Sequence, residues 1–122
     1  MNRRSIVKIA AALAFSFAAT AAFAHAQLEK ATPAVGGAVT SPAEIRLKFS
    51  EGVEPRFSGL TLTAEGGGAV PLGSVSVDPA DKSVLIVKIA RTLPPGVYTV
   101  TWRAVSVDTH HTQGDFQFTV KP

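Results

Sequence analysis

From Gln27 to the C-terminus, apolar and polar positions alternate with a period of two, in short bursts separated by Gly, Pro and Asp. The clearest burst is Glu44-Ile45-Arg46-Leu47-Lys48-Phe49. Successive side chains of an extended backbone point to opposite faces, so Ile45, Leu47 and Phe49 face inward and the three charged residues outward. Gly59-Leu60-Thr61-Leu62-Thr63 alternates again and stops at Gly66-Gly67-Gly68, which reads as a hairpin turn. Val97 to Ala104 places Tyr98, Val100, Trp102 and Ala104 on one face and Thr99, Thr101 and Arg103 on the other. A last strand from Asp115 to Val120 turns Phe116, Phe118 and Val120 inward. Three more strands are predicted from Gln27 to Ala31, Leu72 to Val77 and Ser83 to Ile89, the last apolar enough to be central in a sheet. Between them lie a Gly-, Ala- and Pro-rich loop from Ala34 to Pro42, a polar connection from Ser50 to Arg56, and turns at Asp78-Pro79-Ala80-Asp81 and Leu93-Pro94-Pro95-Gly96. No stretch of this region carries a helical period.

About seven strands with turn signals at this spacing, and a tryptophan in a long late strand, predict an all-β fold: an immunoglobulin-like sandwich or Greek-key barrel. Phe49, Trp102, Phe116 and Phe118 each fall on the apolar side of an alternating strand and are assigned to the core. There is no internal repeat or second domain.

The first 24 residues follow a different rule. Arg3, Arg4 and Lys8 precede an almost wholly apolar run from Ile9 to Phe23, and Ala22-Phe23-Ala24 has the small-residue pattern of a signal-peptidase site. The run is short for a span of about 20 residues, which argues against a retained anchor. The expectation is a signal peptide over 1–24, cleaved after Ala24, and a periplasmic β domain over 25–122 with no stable membrane insertion. Arg3-Arg4 also partly matches a twin-arginine signal. Cleavage changes the charge balance. Three of the twelve basic residues and none of the nine acidic ones fall in the leader, so the exported part carries nine of each. The basic character of the whole chain belongs to the leader and supports no nucleic-acid partner. The chain has no cysteine, and its single methionine is Met1. The exported domain must therefore be held by burial alone and offers no sulfur ligand.

Candidate chemistry collects at Val107-Asp108-Thr109-His110-His111 and at His25. Read as extended backbone after a strand, Asp108 and His110 project from the same face about 7 Å apart at Cα, and can converge on one ion; His111 then points to the other face. A polar loop holding Asp and His is by itself an ordinary solvated turn. The weight comes from His25, which becomes the first residue after cleavage and offers its α-amino group together with its imidazole. Adding His110 and Asp108 makes three nitrogens and one oxygen, a set suited to tetragonal copper(II), with zinc as competitor. Copper(I), which prefers thiolate and thioether, and blue-copper electron transfer, which needs cysteine, do not fit this composition. Ser106, Asp108 and His110 lie along one short segment and do not make the arrangement of a hydrolytic triad.

These residues resemble the CopC copper-resistance proteins of the bacterial periplasm. The resemblance spans essentially the whole exported part: His25-Ala26-Gln27-Leu28, Thr32-Pro33, Leu47-Lys48-Phe49-Ser50-Glu51, Pro95 to Trp102, Ser106 to His110, and Gly114-Asp115-Phe116. It implies a Greek-key β-barrel, and a copper(II) site formed by His25, Asp108 and His110. Glu51 matches a glutamate near the copper in some members, here a second-shell group or fifth donor. A methionine-rich copper(I) site found in some members is missing, which leaves a copper(II)-only reading. The resemblance also implies a CopD-like inner-membrane copper transporter as partner. Three functions stand on this sequence: a copper(II) carrier or buffer without enzymatic activity, a copper oxidase using a histidine brace, and a metal-free immunoglobulin-like module.

Overall fold

A computed structural model describes residues 26–122; the expected signal peptide over 1–24, its expected cleavage site and His25 lie outside the described residues. The described chain forms nine strands: β1 (Leu28–Thr32), β2 (Ala38–Val39), β3 (Glu44–Phe49), β4 (Gly59–Ala64), β5 (Gly68–Ala69), β6 (Leu72–Asp78), β7 (Asp81–Ile89), β8 (Gly96–Val105) and β9 (His111–Val120). They make two sheets, one of order β1-β3-β7-β6 and one of order β2-β9-β8-β4-β5. The fold is all-β, a Greek-key sandwich, as the alternation predicts. Among the described residues, no helix is long and apolar enough to cross a membrane.

The inner faces are those read from the period. Ile45, Leu47 and Phe49 are fully buried, and so are Tyr98, Val100, Trp102 and Ala104 to within a few per cent. Phe49 of one sheet meets Trp102 of the other edge to face, ring centroids 5.3 Å apart, and Tyr98 stacks on Phe118 at 5.7 Å. Aromatic pairs prefer these offset arrangements; the first contact helps set how the two sheets sit on one another, while the second joins the neighbouring strands β8 and β9 of one sheet. The Tyr98 hydroxyl donates to the carbonyl of Pro94 at 2.6 Å, leaving no unpaired polar group where the ring is buried. Outward positions of β3 pair with neighbouring carboxylates and amines: Lys88 with Glu44 at 2.8 Å and Arg46 with Asp78 at 2.6 Å. Such half-exposed pairs contribute little to stability and mainly keep this face polar.

Apart from shifts of one or two residues at strand ends and the two-residue β5 after the glycine turn, two features differ from the sequence reading. The loop from Ala34 to Pro42 contains β2, a two-residue strand that runs parallel to the end of β9. It was invisible to periodicity because two residues hold no period. The last strand begins at His111 rather than Asp115. Its first part, His111 to Gly114, lacks large apolar residues, but its backbone continues the ladder with β8 from Gly96↔Val120 to Val105↔His111. Backbone pairing, not side-chain pattern, extends it.

Candidate metal centre

The β8–β9 hairpin is closed by Ser106 to His110, and these five residues shape the site. The Ser106 N–H donates to the His110 carbonyl at 2.9 Å, and the Thr109 N–H to the Ser106 carbonyl at 2.8 Å. Ser106 to Thr109 is thus a tight turn. Thr109 sits at φ 72°, in the left-handed region that a β-branched residue seldom occupies. Asp108 and His110 are therefore not neighbours on an extended strand, and alternation is not what brings them together. The turn does it instead: His110 Nδ1 lies 3.3 Å from Asp108 Oδ1, both side chains about half exposed.

Beneath them lies Ser106, fully buried. Its hydroxyl donates a short hydrogen bond to Asp108 Oδ1 and accepts the His110 N–H at 3.1 Å. That hydroxyl, then the charge of His110, hold the Asp108 carboxyl below its ordinary range against an opposing desolvation cost. The order of contacts also rules out a hydrolytic triad of Ser106, Asp108 and His110. A triad places histidine between serine and carboxylate; here the carboxylate lies between them, and the serine is closed off from solvent.

The start of the described chain arrives at the same place. Ala26 is fully buried, and its carbonyl accepts a hydrogen bond from Thr112 Oγ1 at 2.8 Å, two residues beyond His110. Gln27 is held on the other side, its N–H donating to Ser50 Oγ and its carbonyl accepting the Ser50 N–H, both at 2.8 Å. The loop after β3 completes this end of the sandwich: Val107 N–H donates to Gly52 carbonyl at 3.1 Å, and Val53 bridges Ser106. The backbone next to Glu51 thus touches the turn. Even so, among the described residues no three His, Asp or Glu side chains converge closely enough to hold a metal ion, so Glu51 is not drawn in beside Asp108 and His110. His111 opens β9 opposite Val105 and lines a shallow cleft with Phe57, Arg103 and Thr112.

Two participants escaped the sequence reading. Ser106 stands in the S-x-D-x-H run, which the sequence offers only as a piece of the family resemblance and as a rejected nucleophile. Thr112 carries no signal at all, because its partner lies 86 residues away in the chain.

A model of the CopC domain matches residues 28–121. The chain belongs to the CopC domain family. Its similarity to the Copper resistance protein C of Escherichia coli is 38% identity over 109 residues, covering 84% of this chain and 86% of that one. It is 36% identical to the Copper resistance protein C of Pseudomonas syringae pv. tomato over 126 residues, 99% of this chain and 98% of that protein. Among solved structures, PcoC, described as a methionine-rich copper resistance protein of Escherichia coli, aligns with TM-score 0.73 and 38% identity, covering 80% of this chain and all of PcoC. CopC from Methylosinus trichosporium OB3b aligns with TM-score 0.74 and 30% identity, over 80% of this chain and 95% of that one. With one methionine in 122 residues, this CopC domain is not methionine-rich. Domains of the bacterial surface-layer protein SbsC share the fold at 18% identity and TM-score 0.60. The fold alone therefore does not imply the site.

Proposed function

We propose that this CopC domain is an exported copper(II)-binding protein of the periplasm, and that it holds the ion through His25, Asp108 and His110 for sequestration or delivery. The observation that carries the reading is the hydrogen bond from Thr112 Oγ1 to the Ala26 carbonyl. It anchors a buried residue beside the Asp108–His110 turn, and residue 25 precedes that residue by one peptide, about 3.8 Å at Cα. A terminus so tethered needs no long excursion to reach a pair whose nitrogen and oxygen are already 3.3 Å apart. That separation suits one small cation lying about 2 Å from each donor.

The chemistry follows from the donors. His25 contributes amine and imidazole, His110 a second imidazole and Asp108 an oxygen. Copper(II) tops the divalent affinity order at such a nitrogen-rich set, and no sulfur ligand is present to favour copper(I). Relatives named for copper resistance support copper as the cargo. A Bacillus subtilis protein named Copper transport protein CutJ is 30% identical to 80% of this chain, over only 18% of its own length. That arrangement supports a membrane copper transporter, CopD-like, as the partner that exchanges the ion. No enzymatic step is assigned.

The test is a copper(II) titration of the chain beginning at His25, against the same chain with one alanine placed before it. The extended protein should bind at least about 100-fold more weakly, beyond the ~10–100-fold usual for losing a partner of a ligand. Equal affinities would reject the terminal amine as a donor. Reductant-driven peroxide production above that of free copper would instead revive the oxidase reading, which shares His25 and His110.

A further inference from the structure

We infer that Ser106 is a positioning residue of the metal centre, whose buried hydroxyl preorganises Asp108 and His110 before any ion arrives. The inference rests on the copper(II) reading above and deepens it. A fully buried hydroxyl must be hydrogen-bonded to avoid a desolvation penalty. A serine hydroxyl has one hydrogen to give and lone pairs to receive. The hydrogen goes to Asp108 Oδ1 and a lone pair receives the His110 N–H at 3.1 Å. The remaining approach, to the His110 carbonyl at 3.4 Å, is long for an O–H···O bond. Both good partners therefore belong to the two candidate ligands.

Ser106 is itself held. Its N–H donates to the His110 carbonyl, its carbonyl accepts from Thr109, and it bridges Val53 of the neighbouring loop. A fixed donor under a half-exposed carboxylate selects one rotamer of Asp108 from those solvent would allow. The same oxygen atom, acting as acceptor, fixes the backbone of His110 across the left-handed Thr109. Functional geometry of this kind depends on supporting groups whose own rotamers are locked by packing. A purely structural serine would serve any nearby polar group; this one bonds only the residues of the turn.

The experiment uses the chain starting at His25, its Ser106→Ala variant, Asp108→Ala, and the double variant, with copper(II) alone as the probe. Ser106→Ala should weaken copper(II) binding about 10–100-fold, the range for an outer partner of a ligand. In the Asp108→Ala background the same change should have a much smaller effect, because part of what Ser106 positions is already gone. Equal effects in both backgrounds would overturn the proposal. A second readout needs neither metal nor variant: in the metal-free wild type, the His110 amide should exchange with solvent at least tenfold more slowly than the amides of an unstructured peptide of the same sequence. If it exchanges as fast as they do, the turn is not preorganised and the proposal fails. Wild-type protein that binds no copper(II) would instead reject the proposed function, and the exchange rates would then decide the role of Ser106 by themselves.

Discussion

Asp108 owes its low pKa first to a hydroxyl rather than to a positive charge. This has a measurable sign. A carboxylate whose folded pKa is depressed adds stability above its unfolded value, near 3.9, and loses it as pH falls through the lower folded value. The contribution of Asp108 to the order of the turn should therefore be constant from neutral pH down to about pH 4 and decline below it. Carboxyl NMR of the metal-free protein should give Asp108 a midpoint below the reference, and Ser106→Ala should raise it. A wild-type midpoint at or above the reference would show that the Ser106–Asp108 bond is not kept in solution. The same argument separates proton competition at the metal. Asp108 stays ionised across the range in which the α-amino group, with a reference pKa of about 7.7–8.0, becomes protonated. Copper(II) affinity should thus fall between pH 8 and pH 6 through the nitrogen donors, with no contribution from the carboxylate.

The β8–β9 hairpin does two jobs, presenting the turn and gripping the segment before β1. Thr112 makes the second connection, and Thr112→Val keeps its shape while removing the donor to Ala26. Copper(II) affinity should drop by up to about tenfold, the equivalent of the ~0.5–1.5 kcal/mol net worth of one hydrogen bond. Unaltered affinity, measured calorimetrically, would mean that burial of Ala26 holds the terminus without it. Further along β9, Gly114 pairs with Trp102, and a Cβ there would stand 2.7 Å from Trp102 Cζ2. Trp102 is packed against Phe49 and cannot simply swing away. Gly114→Ala should cost about 1–3 kcal/mol in urea unfolding, the usual penalty of overpacking. The glycine is thus required by the indole it faces, a reason that strand propensity does not supply.

At the scale of the whole molecule, the sandwich gathers at one end four segments that are distant in sequence: the segment before β1, the loop after β3, the start of β7 at Lys82, and the Ser106–His110 turn. On the copper(II) reading, binding there would be linked to global unfolding, since an ion held by His25 and by the β8–β9 turn would be released when the sandwich opens. Copper(II) at about 100 times its Kd should add about 2.7 kcal/mol, or roughly 11–22 °C in Tm for a domain of this size. The alanine-extended chain should gain much less. An unchanged Tm for the processed protein at that copper excess would favour a metal-free β module.

The sequence by itself determined the main strands and their inner faces, because a period of two in Ile45-Arg46-Leu47-Lys48-Phe49 or Tyr98 to Ala104 admits one half-buried arrangement. It also determined the donor types on offer, because composition excludes sulfur. Only the tertiary structure decided how Asp108 and His110 meet, since a left-handed Thr109 and a buried Ser106 replace the extended geometry that spacing suggested. It alone set Ala26 against Thr112. Contacts between residues 86 apart depend on how two sheets stack and leave no local period to read.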